Sequence, residues 1–233
     1  MKYVVFLLPL LCACLPNIDG PLIAITNPQP GFLNSSSALV SVSVADFALS
    51  AESIGAPAQA GQGHWHLYLN GNYMSPHADA DGPLVGLQPG NHQIKVELVN
   101  NDHSSLEPPA ESIVEVEITT ESRRLYFADP LPIGEAESAV HSAGQDLDIT
   151  VELGGEFGID IANLGEPPAK CDCEGHIHVY IDGGYLDVMT ALTYTIPSGQ
   201  LPLGTHEIEV RLVKNDHADI EPLVFDLLSV DVQ

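Results

Sequence analysis

The stretch Gly63-His64-Trp65-His66-Leu67-Tyr68-Leu69-Asn70-Gly71 returns as Gly175-His176-Ile177-His178-Val179-Tyr180-Ile181-Asp182-Gly183, so the chain is a tandem repeat. A second matched block follows each copy. It reads His92-Gln93-Ile94-Lys95-Val96-Glu97-Leu98-Val99-Asn100-Asn101-Asp102-His103 in the first and His206-Glu207-Ile208-Glu209-Val210-Arg211-Leu212-Val213-Lys214-Asn215-Asp216-His217 in the second. Both blocks alternate apolar and polar residues with period two, the signature of a strand with one buried face. Eight of the ten histidines fall in them.

Working outward, each repeat opens on a short apolar run, residues 22–26 or 125–128, stopped by a proline-rich turn. Val40, Val42 and Val44 alternate with small polar residues and correspond to Ile149, Val151 and Leu153. A segment peculiar to the first copy, holding His77 and Asp79-Ala80-Asp81-Gly82, reads as a loop and turn; it lacks the later ligands of a calcium loop. No segment has a helical period. Six or seven short strands per repeat, punctuated by Pro and Gly, predict an all-β chain of two tandem immunoglobulin-like β-sandwich domains, with a small antiparallel barrel as the alternative. The expected divisions are residues 1–13 as a leader, 14–20 as a tether, 21–121 as repeat 1 and 122–233 as repeat 2. Each repeat, at about 100 residues, is long enough to bury its own core.

With 32 acidic against 7 basic residues and a formal charge of -25, the chain repels phosphate backbones and anionic membrane surfaces, which excludes nucleic acid as a partner. Lys2, the apolar run at residues 4–11 and Leu11-Cys12-Ala13-Cys14 follow one another in the order of an export signal. The tetrapeptide resembles the lipobox of bacterial lipoproteins. That resemblance implies an exported chain, lipidated on Cys14 and held to the cell envelope by its lipid alone.

The histidines carry the chemistry. His64 and His66 project from one face of a strand, as do His176 and His178, while Trp65, Leu67 and Leu69, or Ile177, Val179 and Ile181, point the other way. Two imidazoles at such positions, about 7 Å apart, grip one ion if a third ligand arrives from elsewhere. His103 and His217, in Asn-Asp-His loops, are placed to supply it. His92 and His206 lie on the core-facing alternation and rank behind them as alternates. Imidazole donors indicate copper or zinc. The competing reading is a polar hydrogen-bond cluster inherited by both repeats in a non-catalytic interaction or spacer module with a protein partner. Asn101-Asp102 and Asn215-Asp216 are expected to bond their own loop backbones, and Glu107 and Glu221 to orient a ligand from behind. No catalytic constellation with a recognisable signature is present, so no enzymatic reaction is indicated.

Paired Gly-His-X-His and Asn-Asp-His blocks on an exported β-domain resemble a loosely defined group of bacterial secreted and periplasmic domains of unassigned function. The resemblance implies an immunoglobulin-like scaffold and no catalytic residue. The His-X-His pair is also similar to that of copper-zinc superoxide dismutase. That enzyme's bridging histidine, aspartate-containing zinc loop and arginine over the copper have no counterpart here, and a copper oxygenase that uses an N-terminal histidine is incompatible with Cys14 as the mature N-terminus.

Repeat 2 alone carries Cys171-Asp172-Cys173 just before His176. Reduced, Cys171 and Cys173 are soft donors for copper(I) or zinc; in an oxidising compartment a strained disulfide or pairing with another chain competes. Thiolate ligation would make repeat 2 prefer a softer ion than repeat 1 and make its affinity rise more steeply with pH. Anaerobic Cu(I) titration checks this: Cys171→Ser/Cys173→Ser should weaken repeat 2 alone, and an unchanged affinity would leave its site to histidines.

Overall fold

A computed structural model describes residues 20–132, 138–155, 158–159, 164–165 and 174–233. The leader, Cys14, Cys171 and Cys173 lie outside the described residues.

The first repeat contributes β1 (Leu22–Asn27), β2 (Gly31–Phe32), β3 (Ala38–Ala45), β4 (Ala48–Leu49), β5 (Gln62–Leu69), β6 (Asn72–His77), β7 (Asp81–Leu84), β8 (Gly90–Asn100) and β9 (Glu111–Ile118). The second contributes β10 (Arg124–Asp129), β11 (Ala139–His141), β12 (Leu147–Gly154), β13 (Gly158–Ile159), β14 (Glu174–Ile181), β15 (Gly184–Met189), β16 (Thr193–Ile196), β17 (Gly204–Lys214) and β18 (Phe225–Val232). In each repeat a three-stranded sheet, β1-β3-β7 or β10-β12-β16, faces a larger one. The larger sheets run β2-β9-β8-β5-β4 with β6 on β5, and β11-β18-β17-β14-β13 with β15 on β14. The chain crosses early from the small sheet to the large one, where β2 or β11 pairs parallel with the last strand. Two separate sheets over one core make each repeat an immunoglobulin-like sandwich and exclude the closed barrel.

Two cores, one per repeat, follow from the alternation. Along β5 and β8 the register pairs Trp65 with Leu98 and Leu67 with Val96, all fully buried. The same register sets His64 opposite Val99, His66 opposite Glu97 and Tyr68 opposite Lys95 on the other face. In β14 and β17 the equivalents are His176 with Val213, His178 with Arg211 and Tyr180 with Glu209. The segment read as a loop in repeat 1 instead forms β6 and β7. Trp65 packs against this segment: its ring lies 4.5 Å from that of His77, its indole N–H donates to the Asp79 carbonyl, and Gly82 lies against its edge.

Residues 35–37 lock the repeats together. Ser35 and Ser37 hydroxyls donate to the Leu223 carbonyl, Ser37 Oγ accepts from Phe225 N–H, and Ser36 Oγ accepts from Leu125 N–H. All three serines are fully buried. Tyr126 adds a donor to the Leu87 carbonyl. No helix among the described residues is long and apolar enough to cross a membrane.

The glycine that opens each Gly-His-X-His motif has a steric cause. A Cβ on Gly63 would lie 2.0 Å from the Val99 carbonyl oxygen, and one on Gly175 1.9 Å from that of Val213. Backbone on both sides leaves nothing to yield, so Gly63→Ala should push β5 off β8, costing about 3 kcal/mol or more. Gly199→Ala, where a Cβ meets nothing within 4 Å, should be near neutral. Thermal unfolding of the two variants compares them; equal melting temperatures would mean the contact is not limiting.

Candidate metal centres

The histidine face, opposite the core face of the strand, is covered. His64 is fully buried and His66 nearly so, because the turn after β8 folds back over them. That turn is tight: Asn100 N–H donates to the Ser104 carbonyl, and Asp102 Oδ1 accepts from both the N–H and hydroxyl of Ser104. His103, at φ 66°, takes the left-handed conformation, as does His217 at φ 65°. A non-glycine residue pays roughly 1–2 kcal/mol for that backbone. In return, the imidazole points back at β5.

Three ring nitrogens then converge. His64 Nε2 and His66 Nε2 are 3.1 Å apart, and His103 Nδ1 lies 3.2 Å from the first and 3.0 Å from the second. Repeat 2 reproduces the triangle with His176, His178 and His217 at 3.1, 3.2 and 3.0 Å. Such nitrogens lie on a circle of about 1.8 Å radius, so an ion at the usual zinc–imidazole distance would stand roughly 1 Å off their plane with angles near ~100°. That is the face of a tetrahedron or an octahedron with at least one position left open.

The two strand-borne rings of each triad are disfavoured as cations. Burial first, then the neighbouring His66 and His103, pushes His64 down to about 4. Burial, then His178 and His217, does the same to His176. His66 is lowered by burial and His103 against the opposing Glu97; His178 by burial, His217 and Arg211 against the opposing Asp219. A neutral imidazole has one N–H and one lone pair. Three nitrogens in mutual contact cannot all be satisfied by protons between them, whereas a cation accepts all three lone pairs.

Behind the triangle, His66 Nδ1 is 3.4 Å from the Tyr68 hydroxyl and His178 Nδ1 is 3.3 Å from that of Tyr180. With Nε2 as ligand, each Nδ1–H donates to the tyrosine and fixes the tautomer. His64 Nδ1 and His176 Nδ1 are buried with no partner among the described residues, so packing alone orients those rings. Tyr73 and Tyr185 stand edge-on to His66 and His178 at 4.9 and 5.1 Å and are about half exposed.

The two alternates lie elsewhere. His92 donates from Nε2 to the Gln88 carbonyl and accepts at Nδ1 from Asn70 Nδ2. His206 donates to the Pro202 carbonyl and is 2.8 Å from Asp182 Oδ2. The Asp182 bond, then the Pro202 carbonyl, raises its pKa, and both of its ring nitrogens are taken by these two bonds. Both rings staple a strand end to the preceding hairpin, on the opposite side of the sheet from the triads. Asp102 and Asp216 bond their own loops as expected, Asp216 Oδ1 through Ala218 N–H. Asn101 does not. It is buried, reaching Gln62 Oε1 with its side chain while its carbonyl accepts from Gly55 N–H. The carboxylates that act on His66 and His178 are Glu97 and Asp219, rather than Glu107 and Glu221, and Asp102 interacts with His103. The sequence signal for Glu97 was its position opposite His66 once the two strands are paired.

No family model and no curated protein matches the sequence. Among solved structures, the chain is similar to fibronectin(III)-like modules of CbhA from Clostridium thermocellum, at 15% identity and TM-score 0.32 over 91% of this chain and 94% of that one. It is similar to the central fibronectin-III array of RIM-binding protein at 12% identity and TM-score 0.26, over 91% and 69% of the two chains. Against Dpr2 Ig1-Ig2 in complex with DIP-Theta Ig1-Ig3 the values are 11% and 0.28, over 91% and 99%. Scores and identities this low carry no information about what this chain binds.

The lowered histidines make the stability of the metal-free protein pH-dependent with a definite sign. A histidine whose folded pKa lies below its unfolded value binds more protons when unfolded, so stability falls as pH drops from about 6.5 toward 4. His64 and His176 act over that whole window. Asp226, raised to about 6 by burial, acts the other way. The melting temperature of the metal-free chain should fall over this range and fall more steeply in Asp226→Asn; a flat profile would mean that the rings are not held neutral.

Proposed function

We propose that each repeat holds one copper or zinc ion, on His64, His66 and His103 in the first and on His176, His178 and His217 in the second, for storage, delivery or sensing. The observation that carries this reading is the convergence of three imidazole nitrogens within 3.2 Å, reproduced in both repeats. Unliganded, that arrangement leaves lone pairs facing one another and a left-handed residue uncompensated. Three nitrogen donors suit borderline first-row ions and not calcium or magnesium, which take oxygen. The open coordination position, in a triad with an exposed His103 and a half-exposed Tyr73 beside it, suits exchange of the ion rather than burial of a structural one.

In this reading the protein works outside the cytoplasm on a lipid carried by Cys14, which the lipobox-like order of the leader sequence supports. The buried serine contacts between repeats support a second, compatible role: a short rigid spacer that presents its centres at a set distance from the membrane or to a protein partner.

Titration of the purified chain with Zn(II) or Cu(II) against a competing chelator should give two equivalents. His64→Ala/His66→Ala should give one, with the fold of repeat 2 unchanged. Stoichiometry near zero, or two equivalents in the double variant, would leave the triads as buried polar clusters and the spacer role alone.

A further inference from the structure

The two centres share their ligands but not their surroundings. Directly opposite His66 on β8 stands Glu97, and directly opposite His178 on β17 stands Arg211. Cross-strand partners have Cβ atoms only about 5 Å apart, so these are the charged groups nearest the ligands on the adjoining strand. The partner charge is exchanged as well. Lys95 bonds Glu97 at 2.9 Å in repeat 1, and Glu209 bonds Arg211 at 2.6 Å in repeat 2. A third position follows suit: the Ser105 hydroxyl donates to Glu97 at 3.2 Å, and in its place Asp219 lies 3.6 Å from Arg211.

One contact survives the exchange. Lys95 Nζ lies 4.4 Å from the centre of the Tyr68 ring, and the Arg211 guanidinium 5.1 Å from that of Tyr180, so a cation rests on the tyrosine behind the ligand in both repeats. It arrives from opposite Tyr68 in the first repeat and from opposite His178 in the second. The ion pair is therefore a dipole reversed between the copies. Its negative end faces His66, and its positive end faces His178 with Asp219 offsetting part of it.

We infer that this reversal makes the two centres unequal, the repeat 1 centre holding a divalent cation more tightly than the repeat 2 centre, with Glu97 and Arg211 as the residues that set the difference. The inference rests on the triads being metal sites. A bound dication interacts with a nearby unit charge through a partly buried medium, where screening is incomplete. Reversing the nearest charge should change affinity roughly ten- to a hundred-fold. The protein would then fill repeat 1 first and repeat 2 only at higher free metal, which spreads its response over a wider range than two equal sites.

The test uses the full chain with Cys171→Ser/Cys173→Ser throughout, so that no thiolate contributes. One centre at a time is silenced, by His64→Ala/His66→Ala or His176→Ala/His178→Ala, and Zn(II) affinity of the other is measured by chelator competition. Repeat 1 should bind at least ten-fold more tightly. Introducing Glu209→Lys/Arg211→Glu/Asp219→Ser should bring repeat 2 to within about three-fold of repeat 1, and the milder Arg211→Gln should give an intermediate gain. Equal affinities in the parent chain, or no gain from either substitution set, would overturn the inference while leaving the metal sites intact. Failure of both centres to bind would overturn the underlying reading instead, and the two failures are distinguishable in the same titrations.

Discussion

The register of β5 against β8, repeated by β14 against β17, is the constraint on which the rest depends. Side chains alternate faces along a strand, so a slip of one residue would turn Trp65 and Leu67 out of the core and His64 and His66 into it. The register is held from both sides. Leu98 and Val96 meet Trp65 and Leu67 in the core. At the end of the ladder, Gly63 allows the Val99 carbonyl to approach as no other residue would. The motif Gly-His-X-His is thus one object, in which glycine fixes the pairing and pairing aims the histidines.

From that pairing the site is assembled by opposing costs. Burial makes a charged imidazole expensive and favours a ligand-ready neutral ring. The turn that buries the rings places His103 in a backbone conformation that disfavours any side chain but tolerates a polar one. Neither expense is offset by hydrogen bonding at His64 Nδ1, which has no partner among the described residues. Strain and desolvation gathered at one cluster, twice in one chain, are what a bound cation would compensate.

Much of this was legible in the sequence because it is periodic. The alternation of Trp65, Leu67 and Leu69 with His64, His66 and Tyr68 assigns both faces, and the return of the same blocks at residues 175 and 206 assigns two domains. The ranking of His103 above His92 follows from parity alone. Burial of the histidine face did not follow, since it depends on a left-handed turn that a non-glycine residue does not advertise. Strand β7 was hidden because its partner, β3, is distant in sequence, whereas β6 pairs with its immediate neighbour β5 across the Asn70-Gly71 turn. Glu97 gains a role only from the cross-strand pairing that sets it against His66.

The comparison between copies separates two roles that a single domain would leave merged. An ion pair beside a histidine ligand does two things: its cation packs on the tyrosine ring that receives the ligand's N–H, and its field acts on the ligand itself. In both repeats the packing is present, through Lys95 or Arg211. The field is opposite, raising His66 through Glu97 and lowering His178 through Arg211. Packing therefore does not dictate the order of the charges along the strand. If support of the tyrosine were the pair's whole purpose, either order would serve and the third residue could stay a serine. Instead Ser105 gives way to Asp219 where the cation has moved next to the ligand, so the reversed field is partly offset while the cation stays in place. Three positions that change together around an unchanged triangle of nitrogens belong to the electrostatics of the centre, not to its architecture.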